Sequence, residues 1–252
     1  MTVLPLVPDT DGLVILDIDG TLLDTPHLAA WRQALGEVGG LSEERGARLT
    51  SRAYQRRVAG RDRLTGAEAA LRIAGMTPSP DLVERLADRK QRLFRRLMHT
   101  TRLFPDARRF LAGAAAQRTP LAFCTASRNA GDLLRRCVAG EPYAPWLLPR
   151  LDRSLGHHGH RGGVPRGEAL LRVVEAWDVH PAACVVVDDA PHGVEAAAAL
   201  GMRAVLVDRF GEPPPAPAGR TAVTSLDETT CAPVDPARPV RRPTTHPEAS
   251  SA

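Results

Sequence analysis

Two aspartates, Asp17 and Asp19, stand two positions apart at the end of an apolar run in the segment VILDIDGTLLD. Side chains alternate between the two faces of a strand, so residues two apart point the same way. If the strand ends near Asp17, both carboxylates reach one small volume. That arrangement suits a metal cation, or a nucleophile that works beside an acid. A strand that merely ends in a polar turn gives the same pattern, because Asp and Gly favour turns.

Polar side chains also follow two later apolar runs. Thr125 follows one run in FCTASRN, and Asp188 and Asp189 follow another in VVVDDAPHG. In an open parallel sheet, ligands bind outside the carboxyl ends of the strands, so we expect these groups to share a crevice with the first acidic pair. Mg²⁺ takes oxygen ligands of this kind, typically one or two carboxylates together with a phosphate. The sequence therefore predicts a Mg²⁺ site at this edge of a sheet.

The elements that must position these groups alternate along the chain. Buried strands are predicted at 13–16, 121–124, 184–187 and 204–207, and helices at 106–117, 167–177 and 193–200. Strands that alternate with helices favour a parallel sheet covered on both faces. The fold class predicted is α/β, with a Rossmann-like doubly wound parallel sheet as its core.

A long insertion separates the first two predicted strands. Its patterns are helical at 27–38, 43–56, 67–74 and 80–99, which predicts an inserted all-α cap domain. We expect core residues at 1–23 and 103–230, a cap at 24–102, and hinges at 23–24 and 102–104. Residues 140–165 are rich in Pro, Gly and His and are predicted as a loop. Residues 231–252 are rich in Pro, Thr, Ser and Arg and are predicted as a disordered tail.

Taken together and in order, these motifs resemble the haloacid dehalogenase (HAD) superfamily, in the branch with a helical cap. The segment DIDGT resembles the family's first motif, Thr125 its second, and the acidic pair of VVVDDAPHG its fourth. The likeness spans roughly residues 12–228. It implies phosphoryl transfer through an aspartyl-phosphate.

The resemblance also implies a role for each motif residue. Asp17 would attack phosphorus, since carboxylates serve as covalent nucleophiles. Asp19 would protonate the leaving oxygen and later activate water. Mg²⁺ would be held by Asp17, by Asp189 and by the backbone carbonyl of Asp19, with Asp188 orienting a metal-bound water. Thr125 would bond a phosphate oxygen, helped by backbone N–H groups at the start of the next helix.

One family motif is altered. The family places a lysine between the second and fourth motifs, and this chain has no lysine there, because Lys90 is its only one. Arg166, in RGEAL, aligns with the lysine of one subset of the family, whereas Val164 occupies the place in the sugar-phosphate branch. We favour Arg166 as the catalytic cation. Its planar guanidinium is larger than an ammonium, so the exchange puts catalytic rate in question.

The phosphate-binding turn and the cap supply candidate substrate contacts. The turn TASRN resembles that of the β-phosphoglucomutase-like branch, which marks Ser127, Arg128 and Asn129. His27, in HLAAW, and the segment GRDR resemble cap segments of the same branch. The branch uses a cap arginine to grip a second phosphate, so Arg63 or Arg61 could take that role. A solvated arginine or histidine on a helix surface gives the same patterns.

Composition bounds the remaining possibilities. The net charge of +4 comes almost wholly from arginine, no arginine cluster alternates with aromatic residues, and we expect no nucleic-acid partner. Four cysteines, Cys124, Cys137, Cys184 and Cys231, form no CxxC pair. With no signal peptide and no apolar run long enough to span a membrane, we expect a cytoplasmic protein. A metal site at His157, His158 and His160 is a weaker alternative to a flexible loop.

These observations favour a Mg²⁺-dependent phosphatase acting on a small phosphorylated metabolite, such as a sugar phosphate or a phosphoglycolate-like acid. A β-phosphoglucomutase-like phosphomutase is the second possibility. Thr21 after Gly20 is common in phosphatases of the family and favours hydrolysis. A binding protein that kept the fold and lost catalysis is the third, supported by the missing lysine alone. The oligomeric state is left open.

Overall fold

A parallel sheet of five strands carries the predicted motifs. In chain order the strands are β1 (Leu4–Pro5), β2 (Leu13–Leu16), β3 (Leu23–Asp24), β4 (Arg102–Leu103), β5 (Leu121–Phe123), β6 (Cys184–Asp188), β7 (Arg203–Val207), β8 (Thr221–Val223) and β9 (Thr229–Thr230). The five-stranded sheet runs in the order β5–β2–β6–β7–β8 with every pair parallel. The computed structural model describes residues 4–6, 12–38, 40, 43–155, 165–210 and 221–231.

Ten α-helices accompany the strands in the described part of the chain. They are α1 (His27–Val38), α2 (Glu43–Ala47), α3 (Ser51–Arg57), α4 (Arg63–Ile73), α5 (Pro80–Leu97), α6 (Pro105–Ala116), α7 (Ala130–Val138), α8 (Ala144–Leu155), α9 (Arg166–Ala176) and α10 (Pro191–Ala199). None of the helices described is long and apolar enough to cross a bilayer.

The strand residues divide between two hydrophobic cores, one on each face of the sheet. Val14 and Leu16 of β2 belong to the larger core, whereas Leu13 and Ile15 belong to the smaller one, which also contains residues of α9 and α10. The alternation follows from the two-residue period of a strand, and all four residues are fully buried. The predicted α/β fold, with a doubly wound sheet covered on both faces, is confirmed.

Helices α1 to α5 form the predicted cap between β3 and β4. These two short strands pair antiparallel, with Leu23 opposite Leu103 and Asp24 opposite Arg102. The chain therefore leaves and re-enters the core through one narrow connection. That geometry is what a pair of hinges requires, and we keep 24–102 as the proposed bounds of the cap.

Two local predictions differ from the structure. The helix predicted over 43–56 is two helices, α2 and α3, because the Thr50 hydroxyl accepts a hydrogen bond from the Ala53 N–H and starts a new helix. The loop predicted over 140–165 contains α8, whose apolar face buries Leu147 and Leu151. Its proline content concealed that face. The three histidines of this region lie outside the described residues.

The carboxyl-terminal end of the described chain packs on the core. Strand β8, which the apolar runs did not predict, extends the sheet beyond β7. Cys231, which we assigned to the start of the tail, is buried in the larger core. Residues 232–252 of the predicted tail lie outside the described residues.

Candidate active site

The first acidic pair lies at the carboxyl end of β2, an interior strand between β5 and β6. Asp17 continues the ladder, since its N–H donates to the Val187 carbonyl over 2.9 Å, and its side chain is buried. Gly20 follows with φ of +89°, and a Cβ at this position would overlap the carboxylate of Asp189. Glycine is therefore required twice here, for its backbone conformation and for its lack of a side chain. The turn after Asp19 therefore packs directly against Asp189 of the second acidic pair.

A metal-sized cluster of carboxylates results. Oxygen atoms of Asp17, Asp188 and Asp189 all lie within 4.8 Å of one another. Burial raises the pKa of Asp17 well above its ordinary value, and repulsion from Asp188 adds to the shift. Burial and repulsion from Asp188 likewise raise the pKa of Asp189. Three crowded, buried carboxyl groups, of which Asp17 and Asp189 have a raised pKa, fit an oxygen-seeking divalent cation, which would relieve the repulsion.

Arg166, at the first position of α9, supplies the positive charge of the cluster. One terminal nitrogen donates to Asp17 Oδ1 over 3.1 Å and also to Asp188 Oδ2. The side chain is 10% exposed, and its Nε has no partner in the structure. Asp188 is held further by the Ala190 N–H, which donates to its Oδ1 over 2.8 Å. The guanidinium therefore contacts the predicted nucleophile directly and keeps a donor free for a further acceptor.

Asp19 lies on the cap side of the cluster, next to His27. The two residues are 3.7 Å apart between His27 Nε2 and Asp19 Oδ1, and neither Asp19 oxygen has a hydrogen bond in the structure. Burial disfavours the ionised form of Asp19, but His27, Ser127 and Lys90 outweigh it and lower the pKa. Asp19 is thus ionised where Asp17 and Asp189 resist ionisation, which separates its role from theirs.

Lys90, which the sequence reading did not assign to the site, lies behind His27. Its ammonium is 2.8 Å from His27 Nδ1 and 5.1 Å from the ring centres of Trp31 and Phe94. Lysine only donates, so Nδ1 accepts and the proton of a neutral His27 sits on Nε2, facing Asp19. Burial lowers the pKa of Lys90 to about 8, and it also lowers the pKa of His27.

The turn after β5 carries the polar groups for which phosphate contacts are predicted, and it is held by its own hydrogen bonds. Thr125 is buried, and its hydroxyl accepts from the Ser127 N–H over 3.1 Å. Ser127 Oγ accepts in turn from the Asn129 N–H over 3.4 Å, immediately before α7. Arg128 is exposed. The turn is therefore an ordered strand-to-helix connection at the carboxyl edge of the sheet.

The cap arginines lie apart from these groups. Arg63 forms an ion pair with Asp88 of α5, and its side chain is 51% exposed. Arg61 is exposed. Neither has a contact with the acids in the structure, so their predicted contact with a second phosphate stays a prediction.

Three more residues near the acids were not predicted from the sequence. Tyr54 of α3 lies close enough for Asp189, Asp19 and Asp17 to add to the effect of burial and raise its pKa well above the ordinary value. Gln55 donates to core carbonyls, and Arg209 donates to the carbonyls of the Gly20–Thr21 turn. For Lys90 a signal existed, because it is the one polar residue among the buried residues of α5.

Comparison with known proteins identifies the family of the chain. The family of haloacid dehalogenase-like hydrolases matches residues 12–201, most of the chain and all of the motifs above. The chain belongs to this family. This HAD-like hydrolase is also 26% identical over 207 residues to a β-phosphoglucomutase of Bacillus subtilis strain 168, a match that covers 79% of this chain and 84% of the relative.

Solved structures agree with the fold of the HAD-like hydrolase. An archaeal β-phosphoglucomutase from Pyrococcus sp. strain ST 04 has a TM-score of 0.59 at 22% identity, covering 85% of this chain and 93% of the other. A predicted phosphoglycolate phosphatase from Haemophilus somnus 129PT has a TM-score of 0.61 at 15% identity, covering 87% and 96%. These likenesses show that the chain shares the fold of both structures.

Proposed function

We propose that this HAD-like hydrolase is a Mg²⁺-dependent phosphatase that cleaves a small phosphorylated metabolite through an aspartyl-phosphate on Asp17. The observation that carries the proposal is the placement of Asp17 between a buried cation and two further acids. Arg166 contacts Asp17 and Asp188, and all three acids form one cluster. The contact with Arg166 orients the buried carboxylate of Asp17. A carboxylate held in this way can attack the phosphorus of a phosphate that shares the same cation.

In the first half-reaction, Asp17 Oδ attacks phosphorus and the bond from phosphorus to the leaving oxygen breaks. Asp19 donates a proton to that oxygen. His27 favours ionised Asp19 in the free protein. The negative charge of an incoming phosphate opposes this effect and raises the pKa of Asp19, which makes it an acid when substrate is bound.

In the second half-reaction, ionised Asp19 takes a proton from water, and the oxygen of that water attacks phosphorus. The bond from phosphorus to Asp17 breaks, which releases inorganic phosphate and regenerates the carboxylate. His27 supports this step because its Nε2 proton faces Asp19 and stabilises the ionised base. Arg166 offsets the crowding of negative charge through both steps.

Asp17 and Asp189, with the backbone carbonyl of Asp19, would hold Mg²⁺, and Asp188 would orient a water bound to it. The ion supplies charge neutralisation for the transferred phosphoryl group. Substrate contacts are proposed for Thr125, Ser127, Arg128 and Asn129 in the phosphate-binding turn, with His27 and Arg63 on the cap. All four cysteines are free, so we keep the cytoplasm as the proposed location.

A phosphomutase is the second candidate. It is favoured by the contact of Asp19 with the cap residue His27, which Lys90 contacts in turn, and by the curated relatives named β-phosphoglucomutase. If His27 of the cap determines when Asp19 acts as a base, the aspartyl-phosphate can react with a sugar hydroxyl before water hydrolyses it. A catalytically degenerate binding protein is the third candidate, and the pairing of Arg166 with Asp17 argues against it.

A turnover assay tests the proposal. An aryl phosphate with and without Mg²⁺ should give metal-dependent release of phosphate, and no release with either would favour the binding protein. A panel of sugar phosphates and small phosphorylated acids, followed by ³¹P NMR, separates the two enzymes. Free phosphate as the main product supports the phosphatase, whereas an isomerised sugar phosphate without free phosphate supports the mutase.

A further inference from the structure

Gln55 carries a buried amide across the boundary between cap and core. The residue lies on α3 and is 4% exposed. Its Nε2 donates to the Asp189 carbonyl over 2.9 Å and to the Val207 carbonyl over 3.1 Å. Asp189 directly follows β6, and Val207 is the last residue of β7. One side-chain amide of the cap thus joins two neighbouring core strands at the edge of the sheet that holds the acids.

A second contact next to it shows how closely the cap is seated. Gly60 lies shortly after α3 with φ of +70°, and a Cβ there would be 2.8 Å from His192 Cε1 and 3.1 Å from Ala190 Cβ. His192 and Ala190 belong to the segment that follows Asp189. Cap and core therefore meet at two points around this acid, and the structure shows the cap closed over the site.

Burial makes the amide of Gln55 dependent on its partners. A buried polar group without a hydrogen bond is costly, and the two carbonyls would lose a partner together with the amide. When the cap lifts, water can solvate all three groups. The contact therefore favours the closed arrangement by a modest and reversible amount, as a latch must.

We propose that Gln55 is a positioning residue, a latch that holds the cap closed over the acidic cluster. Closure seats its neighbour Tyr54 beside the acids and His27 beside Asp19, so the catalytic consequence of the latch rests on the proposed function. Losing the latch should raise the open fraction about tenfold, which corresponds to about 1.4 kcal/mol for its two hydrogen bonds together.

Lys90 offers a chemical probe of cap opening, because it is the only lysine in the sequence. Its side chain is buried, and its ammonium lies against His27, on the side of the cap that faces Asp19. An amine-reactive ester at constant pH should acylate Lys90 when the cap opens. Mass spectrometry of the peptide that contains Lys90 gives the rate, with the α-amino group as an internal reference. The measurement involves no turnover, so it succeeds or fails independently of the proposed phosphatase activity.

The variant Gln55→Met keeps the length of the side chain and removes its donors. Acylation of Lys90 should become about tenfold faster than in the parent protein. Gln33→Met is the matched control, since Gln33 is exposed on α1 of the same cap. It should leave the rate of the parent unchanged.

Gln55→Glu is the second variant and retains the shape of the side chain. It places a carboxylate against two carbonyl oxygens, so it should also accelerate acylation, and it serves if the methionine variant does not fold. Circular dichroism verifies the fold of each variant. A parental rate in the folded Gln55 variants, or an equal acceleration in Gln33→Met, would overturn the latch.

Discussion

The surroundings of Asp17 disfavour the ionised form of its carboxyl group. Burial and the neighbouring Asp188 raise its pKa, and a single guanidinium nitrogen offsets part of the repulsion. An acid with a raised pKa in the folded state binds its proton more tightly than the unfolded chain does. The contribution of this group to stability therefore falls as pH rises from the ordinary pKa of an aspartate through the raised one.

Replacing Asp17 with Asn should abolish turnover and leave the fold intact. The amide keeps the shape of the side chain, but it is no nucleophile and relieves the repulsion. Without metal, the melting temperature of the variant should equal or exceed that of the parent. Added Mg²⁺ should raise the melting temperature of the parent more than that of the variant, because binding to the folded state stabilises it. Activity within about tenfold of the parent would contradict the covalent mechanism.

Arg166 makes a direct test of the substituted family lysine possible. Arg166→Ala leaves two buried acids without their cation and should lower kcat/KM tenfold or more, since charge-assisted contacts contribute on the order of 1.5–3 kcal/mol each. Arg166→Lys should retain or raise activity, because it restores a cation of the usual family type. The control is Arg172→Ala on the same helix, where the ion pair with Glu168 is at the surface. Parental kinetics in Arg166→Ala would remove the cationic role.

Lys90 should give stability a distinctive dependence on pH. Burial lowers its pKa from 10.5 to about 8, so between these values the unfolded chain holds a proton that the folded protein lacks. The free energy of unfolding that this lysine controls should therefore rise with pH across this window, and the penalty is fully present below pH 8. Lys90→Met should be more stable than the parent at pH 7, with an advantage that shrinks towards pH 10. Urea unfolding at several pH values checks this, and a constant difference would contradict it.

Arg209 connects several elements at the end of β7. Its guanidinium donates to the carbonyls of Gly20 (3.0 Å) and Thr21 (2.6 Å) and to Asp106 (2.9 Å), and it lies 3.8 Å from the ring centre of Phe104. The turn after Asp17, the start of α6 and the connection that follows β4 thus all contact one side chain. Asp106 in turn accepts from the Leu226 N–H near β9.

Arg209→Met should therefore damage both stability and catalysis. Breaking a buried pair leaves Asp106 uncompensated, at a cost of roughly 3–5 kcal/mol. Loosening the Gly20–Thr21 turn should lower kcat more than it changes KM, because the turn orients Asp17 and Asp19 and binds no substrate. Arg203→Met, which alters an exposed arginine bonded to the Pro5 carbonyl, should change neither. Thermal melts and steady-state kinetics at one pH test both effects. An unchanged kcat would show that the Gly20–Thr21 turn keeps its conformation without Arg209.

The elements differ in how well their sequences reveal them. Strands β2 and β6 were predicted because both are buried on two faces and therefore read as continuous apolar runs. Strand β8 was missed because it is short and its first residue is exposed. Helix α8 was missed because Pro149 lies inside it, and its helical character depends on burial of one face against the core.

The same contrast holds for the site. The acids and Thr125 were predictable because they follow parallel strands. The carboxyl ends of such strands lie at the same edge of the sheet, so residues that follow them are close together. Gln55 and Arg209 reach the site through tertiary packing, which no local pattern reports, whereas the apolar helix face around Lys90 indicated only that this lysine is buried. Arg166 lies between the two cases, because the resemblance marked it and the structure shows its contact with Asp17.

At the scale of the whole molecule, the packed chain extends at least to Cys231, which is buried. Deleting residues 233–252 should change neither the melting temperature nor the activity, because that segment is rich in polar residues and proline. Deleting residues 226–252 should instead lower the melting temperature clearly, since it removes the buried Leu226 and strand β9. A fall in melting temperature with the shorter deletion would show that the tail packs on the body.

The position of β2 between β5 and β6 also sets an order of events during protein synthesis. Val14 pairs with Leu121 on one side and with Val185 on the other. At roughly 5–20 residues per second, the first partner leaves the ribosome several seconds after β2, and the second follows later still. All five helices of the cap are synthesised in that interval. The strand that carries the proposed nucleophile must therefore wait for both of its neighbours, exposed as an apolar segment while the cap can already assemble.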